Sequence, residues 1–477
     1  MKRKVDISNI LVQYNLPQAI EYRVETVDAR SLLCPSRLDI AAKYLYLDLR
    51  DKCPEYAKKV YLEHMRVMTK GSFVEPYSDK NSPEKFLVFF DELYENIKKA
   101  GYSTDVSPIP VDKNYQLMDG AHRVAICIKQ NIKVPVVVLP MEAEYDNYNQ
   151  EYFLKHGIKE NILDEIIRCY VRLCEKCVCI NIWPSAKGHE EELESIITKE
   201  FKVIYRKNVE FNETGAFYYL AQIYQEYSWA QNSDEGFSGV YRKLLPCFPS
   251  FDPVRTIIAE IDDYDKLISV KDHMRSLFDL DKHSLHITDN KNETIQMTDI
   301  ILSDNTIRFL NKCNALQYKN TFKLLEEAKQ LAHQYSDICF TGSVVLALFG
   351  IRQANDLDYI VYQDDVPESH NSLLPLYGID KEQALYQADL QFDFFGLKFL
   401  SLECIKKFKE RRAESKDFDD IKLIDMVLSG DKENWKVIYL RKKRRIIATV
   451  QGHIIRFAHK TGTYEALRQL YKKILSK

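Results

Sequence analysis

The stretch from Ile338 to Val361, ICFTGSVVLALFGIRQANDLDYIV, constrains the fold more than any other part of this chain. An apolar run ends at Thr341, a Gly342-Ser343 turn follows, and a short apolar segment with helical character leads to Asn355-Asp356-Leu357-Asp358 and then Tyr359-Ile360-Val361. Read as a strand, Asp356 and Asp358 are two residues apart and point to one face. Two carboxylates on one face repel unless a cation lies between them, and Mg²⁺ held jointly by carboxylates and substrate phosphates meets that need. A Gly-Ser turn that opens a helix presents free backbone N–H groups to a phosphate.

Gly-Ser followed by Asp-Leu-Asp, between two apolar strands, resembles the signature of the polymerase-β-type nucleotidyltransferase superfamily, over roughly residues 321–427. The resemblance implies Mg²⁺ held by Asp356 and Asp358 and the β/γ-phosphates of a nucleoside triphosphate on Gly342 and Ser343. It also implies a third acid on a neighbouring strand, for which Asp393 fits and Asp389 fits less well. The run Arg412 to Asp420 resembles the helix behind such active sites, which would bring Lys416 toward the triphosphate, with Asp417 and Asp420 orienting it. The alternatives are a surface strand ending in acids, the Asp-x-Asp of a sugar-nucleotide glycosyltransferase, and a salt-bridged helix face around Lys416.

A second stretch has comparable content. Pro108-Ile109-Pro110-Val111 is followed by Asp119-Gly120-Ala121-His122-Arg123, an apolar helical segment, and Lys133 to Val138. This order of strand, turn, helix and strand resembles the nucleotide-binding core of the ParB/sulfiredoxin superfamily, over about residues 37–140. The resemblance implies that Asp119, Gly120, His122 and Arg123 face the phosphates of ATP or a related nucleotide. Free N–H groups at a helix start and an always-charged arginine agree with that chemistry. Ala121 stands where sulfiredoxins carry cysteine, and no helix-turn-helix follows as in partitioning proteins, so phosphoryl transfer or nucleotide binding is the surviving expectation. Arg37, Lys43 and Lys85 are candidates for added positive charge by residue type alone. The alternative is a hairpin turn at Asp119-Gly120 with His122 and Arg123 on an exposed helix face.

Between these stretches, strand and helix patterns alternate from Cys177 to Leu302, which predicts an α/β domain with a mostly parallel sheet. In such a sheet His286 and Asp289 would fall at the C-terminal end of a strand, where ligands bind, making them a possible third site. The alternative is a strand-to-helix turn with Asp289 as the helix cap. Cys169, Cys174, Cys177 and Cys179 lie close together but lack a second Cys/His pair of structural-zinc type.

At 477 residues the chain has room for two to four domains with their own cores. The expected division is residues 1–148, ParB/sulfiredoxin-like; 149–312, α/β of unknown type; 313–430, nucleotidyltransferase-like; and 431–477, a basic tail. The fold class is α/β in a multidomain α+β chain. The net charge of −3 hides an asymmetry, because residues 431–477 carry +10. Such a tail suits an anionic partner: a membrane surface, an acidic polymer or, less well, nucleic acid. Eleven cysteines without pairing spacings, no apolar leader and no apolar run of membrane length predict a cytoplasmic protein, with peripheral placement at a membrane face open.

The expected activity is a Mg²⁺-dependent nucleotidyl- or phosphotransferase using ATP or another nucleoside triphosphate. Its acceptor would be a phosphorylated or hydroxyl-bearing small molecule or glycan, by association in surface-polysaccharide biosynthesis. The alternatives are a ParB-like small-molecule kinase with a degenerate nucleotidyltransferase domain, an RNA-modifying nucleotidyltransferase of toxin type, and a nucleic-acid-binding or nucleotide-sensing protein.

Overall fold

The computed structural model describes residues 7–17, 21–76, 78–102, 107–142 and 147–430, with Ala458, Thr461 and Thr463. The basic run Arg441 to Arg445, on which the expectation of an anionic partner rests, lies outside the described residues. The chain is a mixed α/β multidomain protein that divides into two compact units. One comprises Met1–Asn311 with Lys381–Lys398, the other Lys312–Asp380 with Phe399–Lys477. No helix among the described residues is long and apolar enough to cross a membrane.

The first unit opens with a three-stranded sheet of β1 (Arg23–Asp28), β2 (Ile109–Val111) and β3 (Lys133–Val138), in the order β1-β3-β2. β3 runs antiparallel to β1 and parallel to β2. The helix Ala121–Gln130 lies between β2 and β3 in sequence, as the pattern predicts, and starts at Gly120 in the left-handed conformation, φ +90°. The helices Leu38–Leu49, Pro54–Met68 and Pro83–Ala100 precede it. Ser82 caps the last of these through the Lys85 N–H, with Pro83 at its first position, a cap worth about 1 kcal/mol. Its buried face is Phe86, Phe90, Tyr94 and Ile97. Phe89 is 39% exposed, because the i, i+4 stripe starting at Phe86 passes through Phe90 and Tyr94.

The middle segment corrects one expectation. Its sheet contains β4 (Cys177–Ile182), β5 (Lys202–Val209), β6 (Val254–Glu260) and β7 (Leu285–Ile287), ordered β5-β6-β4-β7. Every adjacent pair is antiparallel, not parallel. The two β-helix-β crossovers, β4 to β5 and β6 to β7, interleave so that each strand meets a partner from the other crossover. This is the split β-α-β arrangement of ferredoxin-like sheets. Val178, Ile180 and Ile182 on β4, with Ile257 and Ala259 on β6, face the helices Glu190–Glu200 and Leu267–Ser276 through Leu193, Ile197, Val270 and Met274. The polar side chains Asn181 and Thr256 bond to each other at 2.9 Å, and Tyr219 joins them at the same distance.

The segment Lys381–Lys398 completes this unit. In β10 (Gln391–Phe394), Phe392 stacks on Phe309 with ring centroids 4.2 Å apart, and the Asp393 N–H donates to the Thr306 hydroxyl at 2.9 Å.

In the second unit, β8 (Ile338–Thr341) pairs antiparallel with β9 (Asp358–Val361), Thr341 opposite Asp358. Phe399 of β11 (Leu397–Leu400) pairs in parallel with Phe340. The helix Ser343–Leu348 between β8 and β9 is buried along its whole length. The helices Leu402–Arg412 and Ser415–Ser429 follow.

Candidate functional site

In the first unit, a cavity of about 900 Å³ is lined by Asp119, Gly120, His122 and Arg123 together with Arg37 and Lys43. The turn residues expected to form one cradle do share one wall. Arg123 folds back over the helix start, where its guanidinium donates to the Ser107 carbonyl at 2.9 Å and lies 3.8 Å from the Asp119 carboxylate. A Cβ on Gly120 would come within 2.8 Å of that guanidinium. Gly120 therefore supplies both the left-handed turn and the room for Arg123.

His122 points inward rather than to solvent. Its Nε2 is 2.9 Å from the Tyr61 hydroxyl, and its ring packs edge-on against Phe90 at 4.6 Å. Burial pushes its pKa well below the usual histidine range, with Lys43 and Lys80 adding to the effect. His122 therefore acts as a neutral hydrogen-bonding group.

On the same wall Arg37 grips Asp39 with two bonds of 2.8 and 2.9 Å, and Lys43 reaches the same carboxylate at 3.0 Å. Arg37 also donates to the Leu117 carbonyl. All three side chains are buried, at 7%, 1% and 3% exposure. Burial opposes ionisation of Asp39, but Arg37 and Lys43 outweigh it and hold the carboxyl far below its ordinary value. Two cations on one carboxylate leave one positive charge in excess. Burial lowers the Lys43 pKa even though Asp39 opposes that shift, which is the behaviour of a cation without its full counter-charge. Asp39 was missed by sequence reasoning. Its signal was a pair of opposite charges four residues apart, Asp39 and Lys43, in a mostly apolar helix. Lys85 is exposed; the second lysine on the cavity wall, beside Lys43, is Lys80, paired with Glu75 at 2.5 Å.

In the second unit, the Gly-Ser turn and the Asp-Leu-Asp segment meet. The Ser343 hydroxyl donates to Asp356 at 3.2 Å, and the Ser343 N–H donates to Asp358 at 3.4 Å. Asp356 lies just before β9 and Asp358 begins it. His370 Nε2 sits 3.1 Å from the other oxygen of Asp358. The His370 ring is held through Nδ1 by the Tyr377 hydroxyl at 2.8 Å, which accepts from Thr341 at 3.0 Å. Burial raises the Asp358 pKa, but the His370 and Ser343 contacts prevail and hold it below the usual carboxylate value. Asp356, Asp358 and the Ser343 hydroxyl are the groups here that could hold Mg²⁺ together with phosphate oxygens and water. Among the described residues, no three His, Cys, Asp or Glu side chains converge as a metal group.

Asp393 is committed elsewhere. Arg168 lies 3.6 Å from it and also binds Asp299 at 2.9 Å and Glu165 at 2.7 Å. Burial pushes the Asp393 carboxyl up to about 6, Arg168 opposes this and Asp299 adds to it. Asp389 pairs with Lys59 at 3.1 Å. Lys416 is half exposed and pairs with Glu414 at 2.8 Å. Asp417 and Asp420 are fully buried on Lys409, at 3.0 and 2.9 Å. These two acids hold the helix Ser415–Ser429 against Leu402–Arg412.

His286 and Asp289 both line a separate cavity of about 640 Å³. The rule that placed them there assumed a parallel sheet and does not carry over to the antiparallel one. His286 pairs opposite Asn181 on the edge strand β7 and binds Glu293 at 2.8 Å. The cap of the following helix is Asn290, not Asp289, through the Glu293 N–H at 2.9 Å.

No protein-family model, curated protein or solved structure matches this chain.

Proposed function

We propose that the chain is a transferase of phosphorus-containing groups that takes a nucleoside triphosphate, with the phosphate chain lying in the first unit's cavity. The observation that carries this reading is the buried Arg37–Asp39–Lys43 group, two cations on one carboxylate, in the wall of a cavity of about 900 Å³. A polyphosphate supplies the missing negative charge. Arg37 and Lys43 bind it from one side, and the free N–H groups at the Ala121 helix start, with Arg123 above them, bind it from the other. Asp119 is 57% exposed beside Arg123, within the same wall, and is the group that accepts a proton from an acceptor hydroxyl. Catalysis here is positioning and charge neutralisation, the main components of phosphoryl transfer.

A second reading is nucleotidyl transfer at the Gly342 turn. It is favoured by one observation, the meeting of Asp356 and Asp358 on Ser343. Asp356 and Asp358 would hold Mg²⁺, which when bound supplies charge neutralisation to phosphate oxygens. His370 orients Asp358, and Ser343 is the phosphate donor of the turn.

The two readings separate in one experiment. The protein is incubated with Mg²⁺, a panel of hydroxyl-bearing acceptors and ATP labelled at either the α or the γ phosphate. Lys43→Met is compared with the pair Asp356→Asn/Asp358→Asn, after circular dichroism confirms folding. The first reading expects γ-label transfer that Lys43→Met lowers at least tenfold at subsaturating ATP and the aspartate pair leaves intact. Transfer of the α label with pyrophosphate release, lost in the aspartate pair alone, overturns it in favour of the second. No transfer of either label to any acceptor, with no nucleotide bound in calorimetry, removes both.

A further inference from the structure

The cavity beside His286 combines aromatic rings with more positive charge than its own acids match. It is lined by five cationic residues and two acids, and one acid, Asp289, is taken by Lys271 at 2.6 Å. Lys243 is the most telling of the five. It is nine-tenths buried, at 9% exposure. Its ammonium donates to the Lys282 carbonyl at 2.9 Å and lies 5.0 Å from the Tyr224 ring and 5.9 Å from the Trp229 ring. Among the described residues no carboxylate pairs with it. Arg275 also lines the cavity, and its Nε is buried without a hydrogen-bond partner among the described residues. Lys243 has the desolvation cost of a buried cation without a carboxylate in contact to offset it, whereas the Arg275 guanidinium has the largely exposed Asp272 at 3.9 Å.

The aromatic half is equally specific. Tyr227 and Trp229 line the same cavity and remain 45% and 41% exposed. Their position is fixed from behind. A Cβ on Gly239 would fall 1.8 Å from the Trp229 carbonyl, so the helix Ser238–Cys247, which carries Lys243, packs directly on the Trp229 turn. Exposed aromatic faces on a rigid turn are stacking platforms for a planar heterocycle, and a buried ammonium and a guanidinium nearby are partners for a phosphate. The volume of about 640 Å³ is that of a small-ligand site.

We propose that this cavity binds a nucleoside phosphate, its base on Trp229 and Tyr227 and its phosphate on Lys243 and Arg275. This second nucleotide site is separate from the cavity at Arg37–Asp39–Lys43 and does not depend on which centre performs the transfer.

Calorimetry of the full chain with AMP, adenosine and inorganic phosphate tests the proposal. The variants are Lys243→Met and Trp229→Ala in this cavity and Arg123→Ala in the other, with thermal unfolding as the folding control. The expected result is two AMP sites in the wild type, one of them weakened at least tenfold by either Lys243→Met or Trp229→Ala and untouched by Arg123→Ala. A single AMP site lost only in Arg123→Ala overturns this proposal and leaves the proposed function standing. A single site lost only in Trp229→Ala supports it and removes nucleotide from the other cavity. Phosphate binding as tightly as AMP, with Trp229→Ala without effect, overturns the nucleotide assignment. If Lys243→Met fails to fold, Trp229→Ala and Tyr227→Ala, both at partly exposed rings, decide the question.

Discussion

A Cβ on Gly342 would lie 1.9 Å from Oδ2 of Asp358. The turn and the carboxylate therefore share one space, and the backbone there is left-handed, φ +69°. Gly342→Ala is expected to cost about 1–2 kcal/mol from the backbone term alone, plus the cost of moving Asp358. Gly157 is a matched control, since its φ is +70° with nothing within 4 Å of its Cβ position. Urea unfolding of both alanine variants should give a larger loss at 342, and the excess measures how tightly the aspartate is seated on the turn.

Lys43→Met removes one of the two cations on Asp39 and leaves an Arg37–Asp39 pair of zero net charge. Because burial disfavours the Lys43 ammonium, stability should hold or rise slightly. Affinity for ATP should fall about 10- to 100-fold, the worth of one charged hydrogen bond. The converse change, Asp39→Asn, leaves two buried cations without a counter-ion and should destabilise by about 3–5 kcal/mol. Paired thermal unfolding and calorimetry read both effects.

Stability should fall as pH drops below about 6.5. Burial holds His64 and His122 well below the ordinary histidine pKa, so the unfolded chain takes up protons that the folded chain refuses. Each histidine contributes stability that is present above the unfolded pKa and is lost as pH falls toward the folded one, by about 1.4 kcal/mol per unit. His64, whose two ring nitrogens have no hydrogen-bond partner among the described residues, is the cleaner of the two to replace, and His64→Phe should flatten the slope between pH 6.5 and 5. Asp393 works in the opposite direction. With its carboxyl pushed up to about 6, its contribution is present below about pH 4 and is lost as pH rises through 6. Asp393→Asn should therefore steepen the acid-side loss.

The parts of the fold that local chemistry decides were legible in the sequence. The Gly120 and Gly342 turns each open a helix, as the order of residues predicts. Pairing between distant segments was not legible. Alternating strands and helices fit both a parallel sheet and interleaved crossovers, and nothing local to β4 or β6 says which neighbour each will meet. The same limit explains the site residues. The Asp119–Arg123 turn is contiguous, so its residues fall on one cavity wall. Asp39 looks like an ordinary helix carboxylate until Leu117 and the cavity are brought against it. Asp393 looks like a metal ligand because its partner Arg168 lies far upstream. Lys243 and Trp229 carry no motif at all, since their meaning depends on Gly239 bringing two turns together.

Lys416 and Asp417 are adjacent in sequence and should differ sharply under mutation. Lys416 is 55% exposed and pairs only with Glu414 among the described residues, so Lys416→Ala should change stability by less than about 0.5 kcal/mol. Asp417 is fully buried and accepts from Lys409 at 3.0 Å and from Arg412 at 2.7 and 2.9 Å. Burial opposes its ionisation, yet Arg412 and Lys409 bring its carboxyl down to about 2. Asp417→Ala leaves the buried Lys409 with Asp420 alone and should cost about 3–5 kcal/mol. If Lys416 served a triphosphate, its alanine variant would lose turnover while keeping stability, and ATP affinity would fall with it. The exposed ion pair argues for the other outcome, in which Lys416→Ala matches the wild type in ATP binding while Asp417→Ala lowers the unfolding midpoint.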